Sequence, residues 1–202
     1  PAPSLGIWAL VPHAGTDELL LSLPGTDLEI VLGKFFAAVG IYTASLALSV
    51  SHVFVLFWLG SPDIGPKFGN YSGHWLRGGA FTSIGKFASL LSKNATISFV
   101  LGAIFVAFFV FIGALGGVFG DGLRSFLSPL GVSGHFSDFA RGVISFSGLF
   151  YFLSLTALMI YLNVVFIGRR LWPNDADGIK MSVHHGIRAL ALIVGLISLN
   201  AV

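Results

Sequence analysis

Long apolar runs separated by short polar connections make up most of the chain. A membrane-spanning helix needs about 20 mostly apolar residues, and four runs reach or approach that length. The second is the weakest, because Arg77 and Lys86 interrupt it. A fifth run begins near His185 and reaches the end of the sequence. The pattern therefore predicts four spanning helices over residues 31–59, 73–91, 95–118 and 146–167, and the start of a further, truncated membrane helix over 185–202.

The connection between the third and fourth runs is about thirty residues long and rich in glycine and serine. Its leucines and phenylalanines have spacings that suit short helices, so we expect external helices lying at the membrane interface. Lys and Arg are modestly enriched on the side that holds residues 1–30 and the Arg169-Arg170 pair. By the positive-inside rule this side is predicted to be cytoplasmic.

Composition agrees with this pattern. Hydrophobic residues make up 55% of the 202 residues, charged residues only 10%, and mean hydropathy is +0.89, whereas soluble domains carry about 25% charged residues. The net charge is only +2, and the sequence has no basic cluster, so no nucleic-acid partner is expected. Cysteine is absent, which excludes disulfides and thiolate metal sites. The sequence predicts an all-α, multi-pass membrane bundle without a metal or cofactor of its own.

The stretch GTDELLLSLPGTDLEIVLGKF, residues 15–35, precedes the first predicted span. Thr16 can cap a short helix, and Asp17 and Glu18 suit its positive end. Leu19, Leu20 and Leu23 form an apolar stripe, and Pro24-Gly25 then breaks the helix. Thr26 with Glu29 forms a capping box for the next helix. The pattern fits either an interfacial anchor or a bent lever that transmits a push into the membrane.

The same stretch resembles the segment before the third membrane helix of ABC-2-type transporter permeases, most closely the gliding-motility type and the related copper-processing permeases. Further phrases agree in order along residues 1–172. They are FWLGSPDIGP, GKFASLLSKNATISFVLG and SPLGVSGHFSDFARGVISFSGLFYFLSLTALMIYL. The tail HHGIRALALIVGLISLN resembles the opening helix of the auxiliary subunit that accompanies gliding-type permeases.

The resemblance implies a permease subunit of the bacterial inner membrane that moves a substrate with ATP hydrolysed by a separate ATPase subunit. It also implies a second permease copy, surrounding lipids, and an auxiliary subunit that is fused or associated. No G-x-x-x-x-G-K-[ST] phosphate loop is present, which agrees with ATP acting on the partner. By the resemblance, the residues that couple to the ATPase are Thr16, Asp17, Glu18, Leu19, Leu20, Leu23, Pro24, Asp27, Glu29 and Lys34.

The resemblance divides the chain into a cytoplasmic coupling region (1–30), a permease membrane domain of four spans (31–168), a cytoplasmic linker (169–184) and the start of a further helix (185–202). It implies that two helices precede residue 1. One departure stands out: relatives carry a charged phrase before the threonine, whereas this chain reads ALVPHAGT. This departure favours an alternative function, a membrane scaffold of a gliding or secretion assembly that does not transport.

Three further groups of residues carry alternatives. His52 lies within the first span, and either lines a substrate path or makes a packing hydrogen bond. His135, Asp138 and Arg141 share one helical face, which suits a local salt bridge better than a metal or acid-base site of a membrane-embedded enzyme. Gly113 and Gly117 form a small-xxx-small pair, typical of close helix packing or of a helix end.

Overall fold

A computed structural model of the chain describes residues 26–60, 63–119, 127–169 and 176–200. Within these residues the secondary structure is helical, with no strand. A 3₁₀ turn, Ser128–Leu130, precedes the fourth helix. The α-helices are α1 (Asp27–Leu59), α2 (Ile64–Leu91), α3 (Ala95–Phe119), α4 (Val132–Ala140), α5 (Phe146–Gly168) and α6 (Ala176–Asn200).

Three described helices are long and apolar enough to cross a membrane: α1, the segment Ala95–Ala114 of α3, and α5. Their existence agrees with the predicted spans, and together they support a membrane protein. α1 has 33 residues, so at about 1.5 Å per residue it exceeds the thickness of the hydrocarbon core. Most of its outer half is exposed, with Trp58 91% accessible, as expected of a helix that faces lipid.

Helix α2 differs from its prediction in both length and position. It begins at Ile64 rather than near residue 73, because Asp63 caps it by accepting a hydrogen bond from the Gly65 amide, 3.2 Å. It is too polar to qualify as a span by hydropathy, yet it is the most buried helix of the bundle and packs against α1, α3, α4 and α5. Several of its glycines and polar side chains, among them Gly73, Ser83 and Lys86, face protein. Hydropathy alone cannot distinguish such positions from positions that face water.

The short helix α4 packs on α2 and α5 through the Phe139 ring, which lies between two glycines. Phe139 is fully buried. A Cβ atom at Gly73 of α2 would lie 2.5 Å from the Phe139 Cβ, and one at Gly148 of α5 would lie 2.6 Å from its Cε2. The absence of side chains at both glycines therefore creates the space that the ring fills. A short helix lies between the third and fourth runs, as predicted.

The turn after α4 closes against the start of α2. Gly142 has φ of +85°, in the left-handed region that favours glycine. A Cβ at Gly142 would lie 2.5 Å from the Pro66 Cα. Asn70 of α2 also donates its Nδ2 hydrogen to the Ala140 carbonyl, 3.2 Å. These contacts fix the outer end of α2 to the segment that leads into α5.

The last helix begins earlier than predicted. α6 starts at Ala176, nine residues before the predicted start near His185. Its first half is polar and its second half apolar, so hydrophobic periodicity detects only the second half. It packs mainly against α5, where the Tyr161 hydroxyl lies 3.0 Å from Nδ1 of His185.

Candidate functional site

The amino end of α1 is fixed by the predicted capping box. The Thr26 amide donates to the Glu29 carboxylate, 2.8 Å, and the Glu29 amide donates to the Thr26 hydroxyl, 3.3 Å. Two of the amides that a helix start leaves unpaired are thereby satisfied. The prediction that a new helix starts at Thr26 is confirmed, so a force applied just before Thr26 would act on a closed, rigid helix end.

A buried lysine connects α2 to this end of α1. Lys86 is 1% exposed. Its Nζ donates to the carbonyl oxygen of Val31, 3.2 Å, and lies 5.9 Å from the centroid of the Phe35 ring. The side chain therefore does not extend toward the membrane surface, as a lysine within an apolar run often does. The flexible side chain reaches sideways to α1, because a carbonyl and an aromatic face there replace part of its hydration.

A buried asparagine connects α2 to α5 one turn away. Asn163 is 1% exposed, and its Nδ2 donates to the carbonyls of Met159, 2.7 Å, and Ser83, 3.4 Å. Ser83 precedes Lys86 by three residues, so both connections leave α2 within one turn. Among the described residues, no hydrogen-bond donor reaches Asn163 Oδ1. We call Lys86, Asn163, Ser83 and the Val31 carbonyl the polar joint.

Apolar contacts close the bundle beside the polar joint. Val31 of α1 and Ile167 of α5 are buried against each other, with Ile30, Leu90, Ile160 and Val164 around them. Asp27 also lies here: a Cβ at Gly168 would be 3.4 Å from its Oδ2. The first turn of α1 therefore meets the last turns of α2 and α5. A displacement of α1 at this point would be transmitted to both partners.

The predicted coupling residues fall into two groups. Asp27, Glu29 and Lys34 lie near the start of α1, the helix whose Val31 carbonyl belongs to the polar joint. The other predicted coupling residues lie outside the described part of the chain: Thr16, Asp17, Glu18, Leu19, Leu20, Leu23 and Pro24.

His52, the predicted substrate-path residue, is exposed on α1. Its Nδ1 lies 3.2 Å from the Ser49 carbonyl one turn back in the same helix. The structure thus places it apart from the polar joint, on the side of α1 that faces away from the bundle core.

The external residues considered for an enzyme site make structural contacts. Asp138 and Arg141 form the predicted salt bridge, 3.7 Å, at the surface. The His135 ring stacks on Tyr151 at 4.2 Å, and because a carbonyl only accepts, its Nε2 donates to Pro129 O, 3.0 Å. Burial lowers the pKa of His135, while the Pro129 carbonyl and Asp138 partly oppose this shift. In the described part of the chain, no three potential metal ligands cluster.

Sequence reasoning missed Asn163. Asn163 lies in the fourth predicted span, which contains no charged residue. Its apolar composition predicted a span, and the single amide within it was not considered. A lone carboxamide within a span is itself a signal, because it requires a hydrogen-bonding partner in the bundle. The small-residue pattern at Gly113 does mark a close approach: a Cβ there would lie 3.5 Å from the Gly131 Cα.

Comparison of the chain with protein-family models, with curated proteins and with solved structures finds no match.

Proposed function

We propose that the chain is the membrane permease subunit of an ABC-2-type transporter of the bacterial inner membrane, of the gliding-motility type. In this proposal a partner ATPase hydrolyses ATP, and two permease copies assemble with it. The proposal rests on the ordered phrases that resemble these permeases, and on one structural observation: the polar joint lies where the predicted coupling segment continues into α1.

The polar joint gives a physical route for coupling. In the proposal, the ATPase pushes on Thr16–Leu23, and Pro24-Gly25 redirects that push into α1. The capping box keeps the first turn of α1 intact, so the helix moves as a unit. Lys86 and Asn163 then carry the movement to α2 and α5, because buried hydrogen bonds in a low-dielectric interior resist separation.

The alternative proposal is a membrane scaffold of a gliding or secretion assembly that no longer transports. The observation that favours it is the segment Leu10-Val11-Pro12-His13, which stands where the related permeases carry charges. Without those charges, docking of an ATPase would rest on Asp17 and Glu18. The two proposals therefore differ in whether an ATPase binds and responds.

The test uses full-length protein purified from its native membrane in mild detergent, with any ATPase that accompanies it. The permease proposal expects an ATPase subunit to co-purify, and expects its hydrolysis rate to rise when both are placed in liposomes. Glu18→Lys should abolish the increase. A scaffold would give no bound ATPase, or a bound ATPase whose rate does not change.

A second pair of variants addresses the polar joint. Lys86→Met removes the bond to the Val31 carbonyl while keeping a side chain of similar length. Replacing a buried charge by an apolar side chain is often neutral or stabilising, so the protein should fold. We expect the ATPase to remain bound while its stimulation falls. Lys93→Met, at an exposed lysine just after α2, is the matched control; an equal response of the two variants would count against the joint.

A further inference from the structure

Two adjoining cavities lie between α1, α2 and the segment around α4, outward of the polar joint. Both are open to the protein surface; the larger has a volume of about 410 Å³ and the smaller about 270 Å³. Leu46 of α1 and Tyr71 of α2 line both, so Tyr71 forms a shared wall. Cavities that bind small molecules typically enclose about 300–1,000 Å³. Together the two cavities form a groove of sufficient size for a small amphiphile.

The larger cavity is an apolar compartment. Its lining includes Leu46, Trp75, Phe139, Ile144 and Leu149. Trp75 is held in place by donating its Nε1 hydrogen to the Thr43 hydroxyl of α1, 2.9 Å. Phe139 is fixed between the glycines described above. A compartment with such walls favours a hydrocarbon chain.

The smaller cavity is a polar compartment lined by Ser49, Asn70, Tyr71 and His74. Its hydrogen bonds determine which atoms remain available. Asn70 Nδ2 donates to the Ala140 carbonyl, 3.2 Å, so its Oδ1 is left as an acceptor. His74 Nδ1 lies 2.9 Å from the Asn70 carbonyl and therefore donates to it; in the Nδ1–H tautomer, Nε2 is an acceptor.

The remaining hydroxyl groups of the polar compartment bond to each other. Tyr71 donates to the Ser49 carbonyl, 3.0 Å, and the Ser49 hydroxyl lies 3.0 Å from the Tyr71 oxygen. The compartment therefore offers acceptors to a ligand. Among the described residues, no Asp, Glu, Lys or Arg lines either cavity. A complementary headgroup is uncharged and donates hydrogen bonds, as hydroxyl groups do.

We propose that this groove binds a single-chain amphiphile with a neutral, hydroxylated headgroup. The hydrocarbon chain occupies the apolar compartment, and the headgroup hydroxyls donate to Asn70 Oδ1 and His74 Nε2. The bilayer supplies the ligand, because the groove borders α1, which is long and apolar enough to cross a membrane. One apolar compartment accommodates one chain, which distinguishes this ligand from two-chain bilayer lipids. That the amphiphile is also the transported substrate rests on the proposed function.

Trp75 reports on the apolar compartment directly. In a variant with Trp8, Trp58, Trp172 and any tryptophan outside residues 1–202 changed to Phe, Trp75 is the single tryptophan. The probe is a monoacylglycerol with a brominated chain, which quenches indole fluorescence on contact. The comparison probes carry the same chain as a methyl ester, as a free fatty acid, and in a two-chain phosphatidylcholine. We expect saturable quenching by the monoacylglycerol at the lowest concentration of the four.

The headgroup contact is tested by His74→Phe. Phenylalanine keeps the edge-to-face packing on Phe136, at 5.0 Å between ring centroids, but lacks the accepting nitrogen. Losing one hydrogen bond should weaken binding of the monoacylglycerol about twofold to tenfold, without changing that of the methyl ester. His184→Phe, at an exposed histidine of α6 that lines neither cavity, is the matched control and should bind like the parent.

Three results would overturn the proposal. They are equal binding of the methyl ester and the monoacylglycerol, tighter binding of the fatty-acid anion, and unsaturable quenching that phosphatidylcholine reproduces. The assay contains no ATPase. If the monoacylglycerol binds but the partner ATPase is not stimulated, the permease proposal is rejected and the groove proposal is retained. If the ATPase is stimulated but the monoacylglycerol does not bind, the groove proposal is rejected and the permease proposal is retained.

Discussion

The glycine that receives Phe139 allows a sharp test of how the external helix docks. In Gly73→Ala, the new Cβ would lie 2.5 Å from the Phe139 Cβ, 2.8 Å from its Cγ and 3.2 Å from the Phe136 Cε2. The first two distances are shorter than real Cβ atoms tolerate. Because the Phe139 Cβ belongs to the base of its side chain, a rotamer change cannot move it away. Helix α4 itself would have to shift.

The magnitude follows from two opposing effects. Alanine is about 0.8–1.0 kcal/mol more favourable than glycine inside a helix. Overpacking of a tight core typically costs about 1–3 kcal/mol. Gly79→Ala, in the same helix, provides the matched control, since a Cβ there meets nothing within 4 Å. Gly79→Ala should therefore raise the free energy of unfolding by up to about 1 kcal/mol. The free energy of unfolding of Gly73→Ala should be about 1–3 kcal/mol lower than that of Gly79→Ala.

Thermal unfolding in detergent, followed by near-ultraviolet circular dichroism, measures the difference. For chains of this size, 1 kcal/mol corresponds to about 2–4 °C in Tm, so Gly73→Ala should melt roughly 2–12 °C below Gly79→Ala. Equal melting temperatures, or a more stable Gly73→Ala, would show that α4 does not dock through this contact.

Three further predictions concern other contacts and use the same measurement. Thr26→Ala should lower the stability of α1 by about 1 kcal/mol by opening the capping box, whereas Thr26→Ser should not; equal effects would refute the cap. Asn163→Leu should change stability by less than about 2 kcal/mol, because removing an acceptor without a donor among the described residues offsets the loss of the Nδ2 bonds to Met159 and Ser83; a larger loss would contradict that balance. Burial holds the pKa of His135 below its usual value. The stabilisation that comes from burying the neutral ring is therefore complete above the unfolded-state pKa of about 6.5, and it is lost as pH falls through the lower pKa of the folded state. His135→Phe should remove that part of the pH dependence of Tm between about pH 7 and 5, and an unchanged slope would assign it elsewhere.

Much of the helical layout could be predicted because it depends on local patterns. Thr26 and Glu29 mark the start of α1, and Asn94 marks the start of α3 by accepting from the Thr96 amide, 2.9 Å. The third and fourth runs match α3 and α5 to within a residue or two at each end. Runs of this kind are detectable because a lipid-facing helix must be apolar over most of its surface.

The tertiary contacts could not be predicted, since they depend on which face of a helix meets protein. Lys86 and the glycines lower the mean hydropathy of α2, so hydropathy does not identify this helix as a span. Lys86 and Gly73 nevertheless make central contacts of the helix. The same limitation applies to His52: the pattern places it within a span, but only the structure shows that it is exposed. Asn163 and Ser83 lie 80 positions apart, and no local pattern in the sequence predicts that they form a hydrogen bond.

The polarity of α2 has a consequence for how the protein is made. A helix that holds two lysines, an arginine and many glycines gains little by entering lipid alone, whereas the helices beside it are strongly apolar. Only residues 60–63 separate α1 from α2. We expect the two to enter the bilayer as a hairpin during translation, with Lys86 shielded from hydrocarbon by the α1 segment synthesised before it.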